Sequence, residues 1–299
     1  MNDKINIISG GDSNYFELLK ELYLSIKRLK LSSNYTFSIL DGGLNENDKN
    51  YFLSEGVIVL DPGWPSEVAK LRAKNKLFLK VELAKAHLDK LFPDSKFLMW
   101  VDADAWLQND YALKIMNIIA KKNKLAIFAQ ASRTNTRDIN YKKFIGNLFF
   151  LKNILYKHAL KGGLNKDITN SLIARPTLNA GIFALSKNST HWQRLRFWQS
   201  KLIKNYRLRL FTLTQLAFGI IIYYEKMDYE PLPAICNYMG PFRWSNQDNL
   251  FTHVYAPYDT VSIIHMAGQE EARSDSGHCI EVLDENDNII KKSIRFHDL

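Results

Sequence analysis

The sequence predicts an α/β fold in which helices cover both faces of a mostly parallel sheet. Two observations carry this reading. Short apolar runs alternate with stretches of helical periodicity through roughly the first 130 residues, the order expected of strand–helix–strand units. One run, Phe97-Leu98-Met99-Trp100-Val101, is apolar throughout, as a strand buried on both faces must be.

Each element follows from local pattern. Lys4 to Ser9 reads as a first strand, and Gly10-Gly11-Asp12-Ser13-Asn14 as the turn after it. Residues 15–30 place Phe16, Leu18, Leu19, Leu22, Tyr23 and Ile26 on one helical stripe. Strands follow at 36–40 and 57–60, with a helix near 45–54 between them. Pro62, Gly63 and Pro65 interrupt the chain, and a long helix is expected over 73–91 before the strand at 97–101. A helix near 110–121 and a strand at 125–129 continue the alternation. Residues 130–175 combine Arg133, Arg137, Lys142, Lys143 and Lys152 with Phe144, Phe149 and Phe150, and are expected to form a basic helical insertion. Leu178 to Leu185 reads as another buried strand, 190–206 and 212–224 as helices, and 279–295 as a C-terminal hairpin. No repeat, low-complexity tract or linker divides the chain, so one domain over 1–299 is expected. Its halves would be 1–129, for a nucleotide, and 130–299, for an acceptor and a late metal ligand.

Composition narrows the function. The 299 residues suffice for a large core, and 46% are hydrophobic. The formal net charge is +9, which suits phosphate-bearing molecules or anionic lipid. No zinc-finger spacing or RNP-type strand accompanies that charge, so nucleic acid is not expected as a partner. Cys236 and Cys279 are too few for a disulfide framework and lack partners at metal spacing. No signal-peptide pattern opens the chain, and no run of about 18 apolar residues occurs. A cytoplasmic protein is expected, with room for peripheral contact at the inner face of a membrane.

The junction Asp102-Ala103-Asp104 carries the sharpest chemistry. On an extended backbone, side chains at i and i+2 share a face, so both carboxylates would aim at one point beyond the carboxyl edge of the sheet. Ligands of open α/β sheets bind at that edge. Converging oxygens there suit Mn²⁺ or Mg²⁺, which would hold a diphosphate. The bland alternative is a loop whose aspartates cap the next helix.

In order and spacing, the opening strand-turn-helix, this D-x-D, Leu178-Asn179-Ala180-Gly181-Ile182-Phe183-Ala184-Leu185 and the late Ile263-Ile264-His265-Met266-Ala267-Gly268 resemble the GT-A glycosyltransferases. Family-8-like retaining enzymes match best, over about residues 4–270. The resemblance implies a GT-A fold and roles for matching positions. Asp102, Asp104 and His265 would bind the metal. Asp12, Asn14 and Tyr15 would contact the nucleoside, and Lys80 would face the donor. Ala103, with its two flanking aspartates, belongs to the donor-binding set, and Asn179, Ala180 and Gly181 would meet the sugar. Gln215 would lie beside the reacting carbon. Each position has a plainer reading too: His265 as a satisfied core histidine, Gln215 as a buried amide, Lys80 on a solvated helix face, Asp12 as a helix cap.

Two departures from the family pattern stand out. Thr214-Gln215 replaces its Asp-Gln pair. The lysine that would hold the leaving phosphate is missing after His265, and Arg273, two residues beyond its place, is the candidate substitute. The implied reaction is transfer of a hexose from a nucleotide-diphosphate sugar, UDP-linked by family association, to a glycan or lipid-linked acceptor with retention. Two other classes compete: a sugar-nucleotide nucleotidyltransferase, and a noncatalytic carbohydrate-binding protein of the same fold.

Overall fold

β1 (Ile5–Gly11) runs through the middle of the main sheet, since its side chains find apolar partners on both faces: Ile5 and Ile7 below, Ile8 above. The computed structural model describes residues 3–134, 140–144, 148–152 and 154–297. Further strands are β2 (Tyr35–Asp41), β3 (Ile58–Leu60), β4 (Phe97–Val101), β5 (Ala105–Leu107) and β6 (Leu125–Ala129). Next come β7 (Asn140–Phe144), β8 (Leu148–Lys152), β9 (Leu178–Ser186) and β10 (Tyr229–Pro231). The last are β11 (Phe242–Ser245), β12 (Leu250–His253), β13 (Ile263–His265), β14 (Ile280–Leu283) and β15 (Ile289–Lys292).

Seven strands form the main sheet in the order β10-β6-β9-β4-β1-β2-β3. All neighbouring pairs are parallel except those made by β9, which is antiparallel to both β4 and β6. Alternate side chains feed two cores. Leu98, Trp100, Ile127 and Phe183 pack on one face, with the helices at Phe78–Ala84, His191–Ile203 and Leu213–Gly219. Met99, Val101, Phe128 and Ile182 pack on the other, with the helices at Phe16–Arg28 and Tyr111–Lys121. A four-stranded sheet, β12-β11-β14-β15, contains the expected C-terminal hairpin.

Several local expectations change. Gly10 and Gly11 are not turn residues; they end β1, paired with Leu40 and Asp41. A side chain at Gly10 would sit 2.7 Å from the Leu40 carbonyl, so the close strand approach requires glycine there. The helix expected over 73–91 is broken into Glu67–Ala73, Phe78–Ala84 and Leu88–Leu91. Lys74 and Asn75 divide the first two pieces by taking φ of +47° and +67°, which no α-helix permits. The helix over 212–224 turns from α to π at Ile220. In the basic insertion, β7 and β8 pair antiparallel, and helices begin only at Ile154–Lys161 and Lys166–Ser171. Arg137 and the side chains of Lys142, Lys143 and Lys152 lie outside the described residues. Among the described residues, no helix is long and apolar enough to cross a membrane.

Candidate metal centre and cleft

Asp102 and Asp104 converge, but not as two residues of an extended strand. β4 ends at Val101, and a tight turn follows in which the Ala105 amide donates to the Asp102 carbonyl at 3.1 Å. β5 starts immediately after the turn. β13 pairs antiparallel with β5 and sets His265 opposite Ala105. One ligand atom from each of Asp102, Asp104 and His265 then lies within 4.8 Å of the other two. His265 Nε2 is 3.3 Å from Asp104 Oδ1, close to the separation of neighbouring ligands around a small divalent cation.

The surroundings orient these groups. His265 Nδ1 lies 2.7 Å from Asn237 Oδ1, which accepts its proton and directs Nε2 toward the carboxylates. Asp102 Oδ1 takes the Trp100 indole N–H at 2.6 Å and the Lys85 ammonium at 2.8 Å. Asp102 Oδ2 faces Gly181, where a Cβ would come within 2.6 Å of it and 2.7 Å of the His265 ring. The chain thus leaves room beside the ligands where any other residue would intrude. Two carboxylate oxygens and one imidazole, tightly grouped and backed by glycine, fit Mn²⁺ or Mg²⁺.

Burial pushes the Asp104 carboxyl up, but His265 and then Arg273 outweigh it and hold the group at about 2. Burial lowers the His265 imidazole, and Asp104 reverses this into a net rise. Arg273 Nη1 donates to Asp104 Oδ2 at 3.1 Å, while Nη2 reaches the exposed Glu270 at 3.2 Å. Arg273 belongs to a helix of one turn, Glu270–Ser274, whose last carbonyls are held from outside. Arg295 Nη1 donates to Ala272 O and Arg273 O at 3.1 and 3.2 Å, and Arg295 Nε pairs with Glu21 at 2.7 Å.

A cleft of about 310 Å³ opens beside this centre. Asp12, Asn14, Tyr15, Glu82 and Lys85 line it, with the exposed Phe78 and Phe211 and the part-exposed Arg273 at its rim. Asp12 also caps the turn after β1, its Oδ1 accepting from the Asn14 amide at 3.1 Å. The helix cap and the cleft wall are therefore the same residue. Asn179 Oδ1 accepts from the Gly181 amide at 2.8 Å, and the Gly181 carbonyl accepts from the Asp102 amide at 2.8 Å. This places Asn179, Ala180 and Gly181 directly behind the ligands. Ala103 is buried in the turn between them.

His265, Asn179, Ala180 and Gly181 stand behind the cleft lining, against its metal-binding aspartates, and two further expected positions, Lys80 and Gln215, are not brought to the site. Lys80 Nζ pairs with Asp61 at 2.9 Å and does not line the cleft wall. The helical rotation between positions 80 and 85 separates the two lysines, and Lys85 is the one at the site. Gln215 is half-buried on its helix and does not line the cleft, though Thr214 beside it donates to the Glu82 carbonyl at 3.0 Å.

Lys85, Glu82, Trp100 and Asn237 were not recognised from sequence. Lys85 bridges Glu82 at 2.7 Å and Asp102 at 2.8 Å, fully buried. Burial lowers its ammonium, and the two carboxylates, Asp102 first, more than restore it. Burial raises Glu82 to about 7 despite Lys85. The available signal was a charged pair three residues apart within the otherwise apolar run Val81 to Ala86.

No protein-family profile matches the sequence, and no curated protein matches it. Solved structures do. An active-site mutant of LgtC, with glutamate in place of a glutamine, superposes with a TM-score of 0.51 at 13% identity, covering 87% of this chain and 86% of that one. The galactosyltransferase LgtC in complex with donor and acceptor sugar analogues matches equally in coverage, with a TM-score of 0.51 at 14% identity. Mouse xyloside xylosyltransferase 1 gives 0.50 at 11% identity, over 87% of this chain and 96% of that one. The bifunctional glycosyltransferase WbbM gives 0.53 at 13% identity; the match covers 90% of this chain and 46% of WbbM. The fold is the GT-A glycosyltransferase fold.

Proposed function

We propose that the chain is a metal-dependent glycosyltransferase that moves a hexose from a nucleotide-diphosphate sugar, UDP-linked in the reading we favour, to a hydroxyl of a glycan or lipid-linked glycan. The observation that carries this reading is that Asp102 and Asp104, grouped with His265 as one set of metal-binding atoms, line the same cleft as Asp12, Asn14 and Tyr15. A metal-held diphosphate and its nucleoside could share that cleft.

Asp102, Asp104 and His265 would hold Mn²⁺ or Mg²⁺, which when bound neutralises charge developing on the diphosphate. Arg273, at the rim, reaches the centre through Nη1 on Asp104 and would add positive charge near the leaving oxygen. Lys85 and Trp100 fix Asp102 through Oδ1 and leave Oδ2 free to ligate. The bond from the sugar's anomeric carbon to the diphosphate breaks, and a bond to the acceptor oxygen forms. The acceptor proton passes to the leaving phosphate oxygen, giving same-face attack and retention. No carboxylate on this chain is required as a nucleophile in that scheme. Gln215, which does not line the cleft, has no part in that scheme.

An acceptor has space of its own. A second cavity, of about 560 Å³, is lined by Gly240, Pro241, Gly268 and Gln269, and by Gln130, Thr134 and Ile154 from the 130–175 segment. The strand carrying His265 leads straight into Gly268, so this cavity adjoins the metal centre in the chain.

The nucleotidyltransferase alternative would require a basic phosphate loop after β1. Ser9 to Asn14 contains none. A noncatalytic protein of this fold would not hydrolyse a donor. The test is Mn²⁺-dependent hydrolysis of a panel of nucleotide sugars by the wild type and by Asp104→Asn. Hydrolysis of one donor, lost in the variant, is the expected result. No hydrolysis and no Mn²⁺-dependent thermal stabilisation by any nucleotide sugar would overturn the reading.

A further inference from the structure

The rim of the cleft continues outward into a surface that the chemistry above does not use. Two segments meet there. The helix Glu67–Ala73 is fastened to the 203–211 loop by Arg72, whose guanidinium donates to the carbonyls of Ile203 and Leu208 and lies 5.0 Å from the centre of the Tyr206 ring. Leu71 and Tyr206 stand 74% and 76% exposed, and Phe211, at the cleft rim, 61%. Leu77 and Phe78 are exposed beside them. Apolar side chains this exposed, and this close together, leave a contiguous patch without a partner among the described residues.

The charge around the patch is one-sided. Residues 66–78 hold Lys70, Arg72, Lys74 and Lys76 against Glu67 alone, and residues 199–215 hold Lys201, Lys204, Arg207 and Arg209 with no acidic residue. These two short segments therefore carry most of the net charge of +9. Lys70, Lys74, Lys76, Lys204, Arg207 and Arg209 are exposed.

We propose that this face, residues 70–78 with 204–211, docks on an anionic lipid surface. The cations meet the headgroups, and Leu71, Leu77, Tyr206 and Phe211 enter the boundary between headgroups and acyl chains. Exposed leucines favour lipid over nucleic acid, which would use the aromatics and cations but gain nothing from aliphatic side chains. The concentration of like charge disfavours a second copy of the same face. Because Phe78 and Phe211 belong both to this face and to the cleft rim, docking sets the cleft mouth at the lipid surface. A lipid-linked acceptor would then arrive within the plane of the membrane. That consequence rests on the transferase reading, whereas the docking is tested without turnover.

The experiment is sedimentation of the full chain with vesicles of phosphatidylcholine alone and of phosphatidylcholine mixed with phosphatidylglycerol. Binding is expected only to the anionic vesicles and should weaken with salt. Replacing Lys70, Lys74 and Arg207 by Gln should reduce partitioning about a hundredfold, roughly fivefold for each cation removed. Leu71→Ser with Tyr206→Ser should also weaken it, while thermal unfolding of both variants stays near wild type. Failure of the wild type to bind anionic vesicles, or wild-type binding by both variants, would overturn the proposal. So would binding to a single-stranded oligonucleotide in place of vesicles. A chain that binds vesicles but hydrolyses no nucleotide sugar would retain this proposal and lose the transferase reading.

Discussion

Gly181 leaves the Asp102 carboxylate its working space: a methyl group at position 181 would stand 2.6 Å from Asp102 Oδ2. It would also press on Asn179 Oδ1 at 2.8 Å. Backbone pairing to Asp102 holds the strand there, so the carboxylate would have to move. Gly181→Ala should weaken Mn²⁺ binding on the order of tenfold or more and cost about 1–3 kcal/mol of stability from overpacking. Titration calorimetry with Mn²⁺ checks this; an unchanged affinity would remove Oδ2 from the ligand set.

Lys85 and Lys80 should respond very differently to the same change. Lys85→Met leaves the buried Glu82 and the half-buried Asp102 without their shared cation, and should cost on the order of 2–4 kcal/mol in the metal-free protein. Lys80→Met breaks a pair whose partner, Asp61, is 63% exposed, and should cost about 0–1 kcal/mol from the lost ion pair. Urea unfolding of the two variants decides whether Lys85 is the lysine of the site.

Glu82 should make the metal-free protein less stable as pH rises. Its folded value of about 7 lies above the ordinary 4.5, so the folded state holds a proton that the unfolded state has released. Stability is full below pH 4.5 and falls until about pH 7, by on the order of 2–3 kcal/mol. His265, also raised, adds a loss only above its ordinary 6.5. Glu82→Gln should therefore flatten the slope between pH 4.5 and 6.5, measured by denaturant midpoints in the presence of a chelator.

Arg273 should matter more to turnover than to donor binding, because charge on the leaving oxygen develops only as the bond breaks. Arg273→Ala is expected to lower kcat on the order of a hundredfold, with a smaller rise in donor KM. Arg273→Lys should recover part, since it restores charge but not the planar fork. Wild-type kcat in Arg273→Ala would reduce the contact with Glu270 to a surface pair.

Arg295 should act through Arg273. It holds the two carbonyls that end the one-turn helix, and Glu21 holds it in turn. Arg295→Leu should lower kcat in wild type but add little in an Arg273→Ala background. Additive losses in that double-mutant cycle would show that Arg295 serves stability alone.

Much of this molecule is determined by short-range pattern. The apolar run from Phe97 to Val101 could only be a strand buried on both faces, and the stripe from Phe16 to Ile26 only a helix packed on such a sheet, because periodicity is a property of neighbouring residues. Asp102-Ala103-Asp104 was visible as a carboxylate pair at a strand end for the same reason. What tertiary structure alone decided is what meets that pair. The turn at 102–105 and the pairing of β5 with β13 bring in His265 across about 160 residues of chain. The strained residues Lys74 and Asn75 reset the helix that follows, so that Lys85 faces Asp102 and Lys80 turns toward Asp61. Arg273 reaches Asp104 from a one-turn helix whose last carbonyls accept from Arg295, itself paired with Glu21 from the opposite end of the chain. Such contacts depend on the rotation and register of distant elements, and residue spacing along the chain does not encode either quantity.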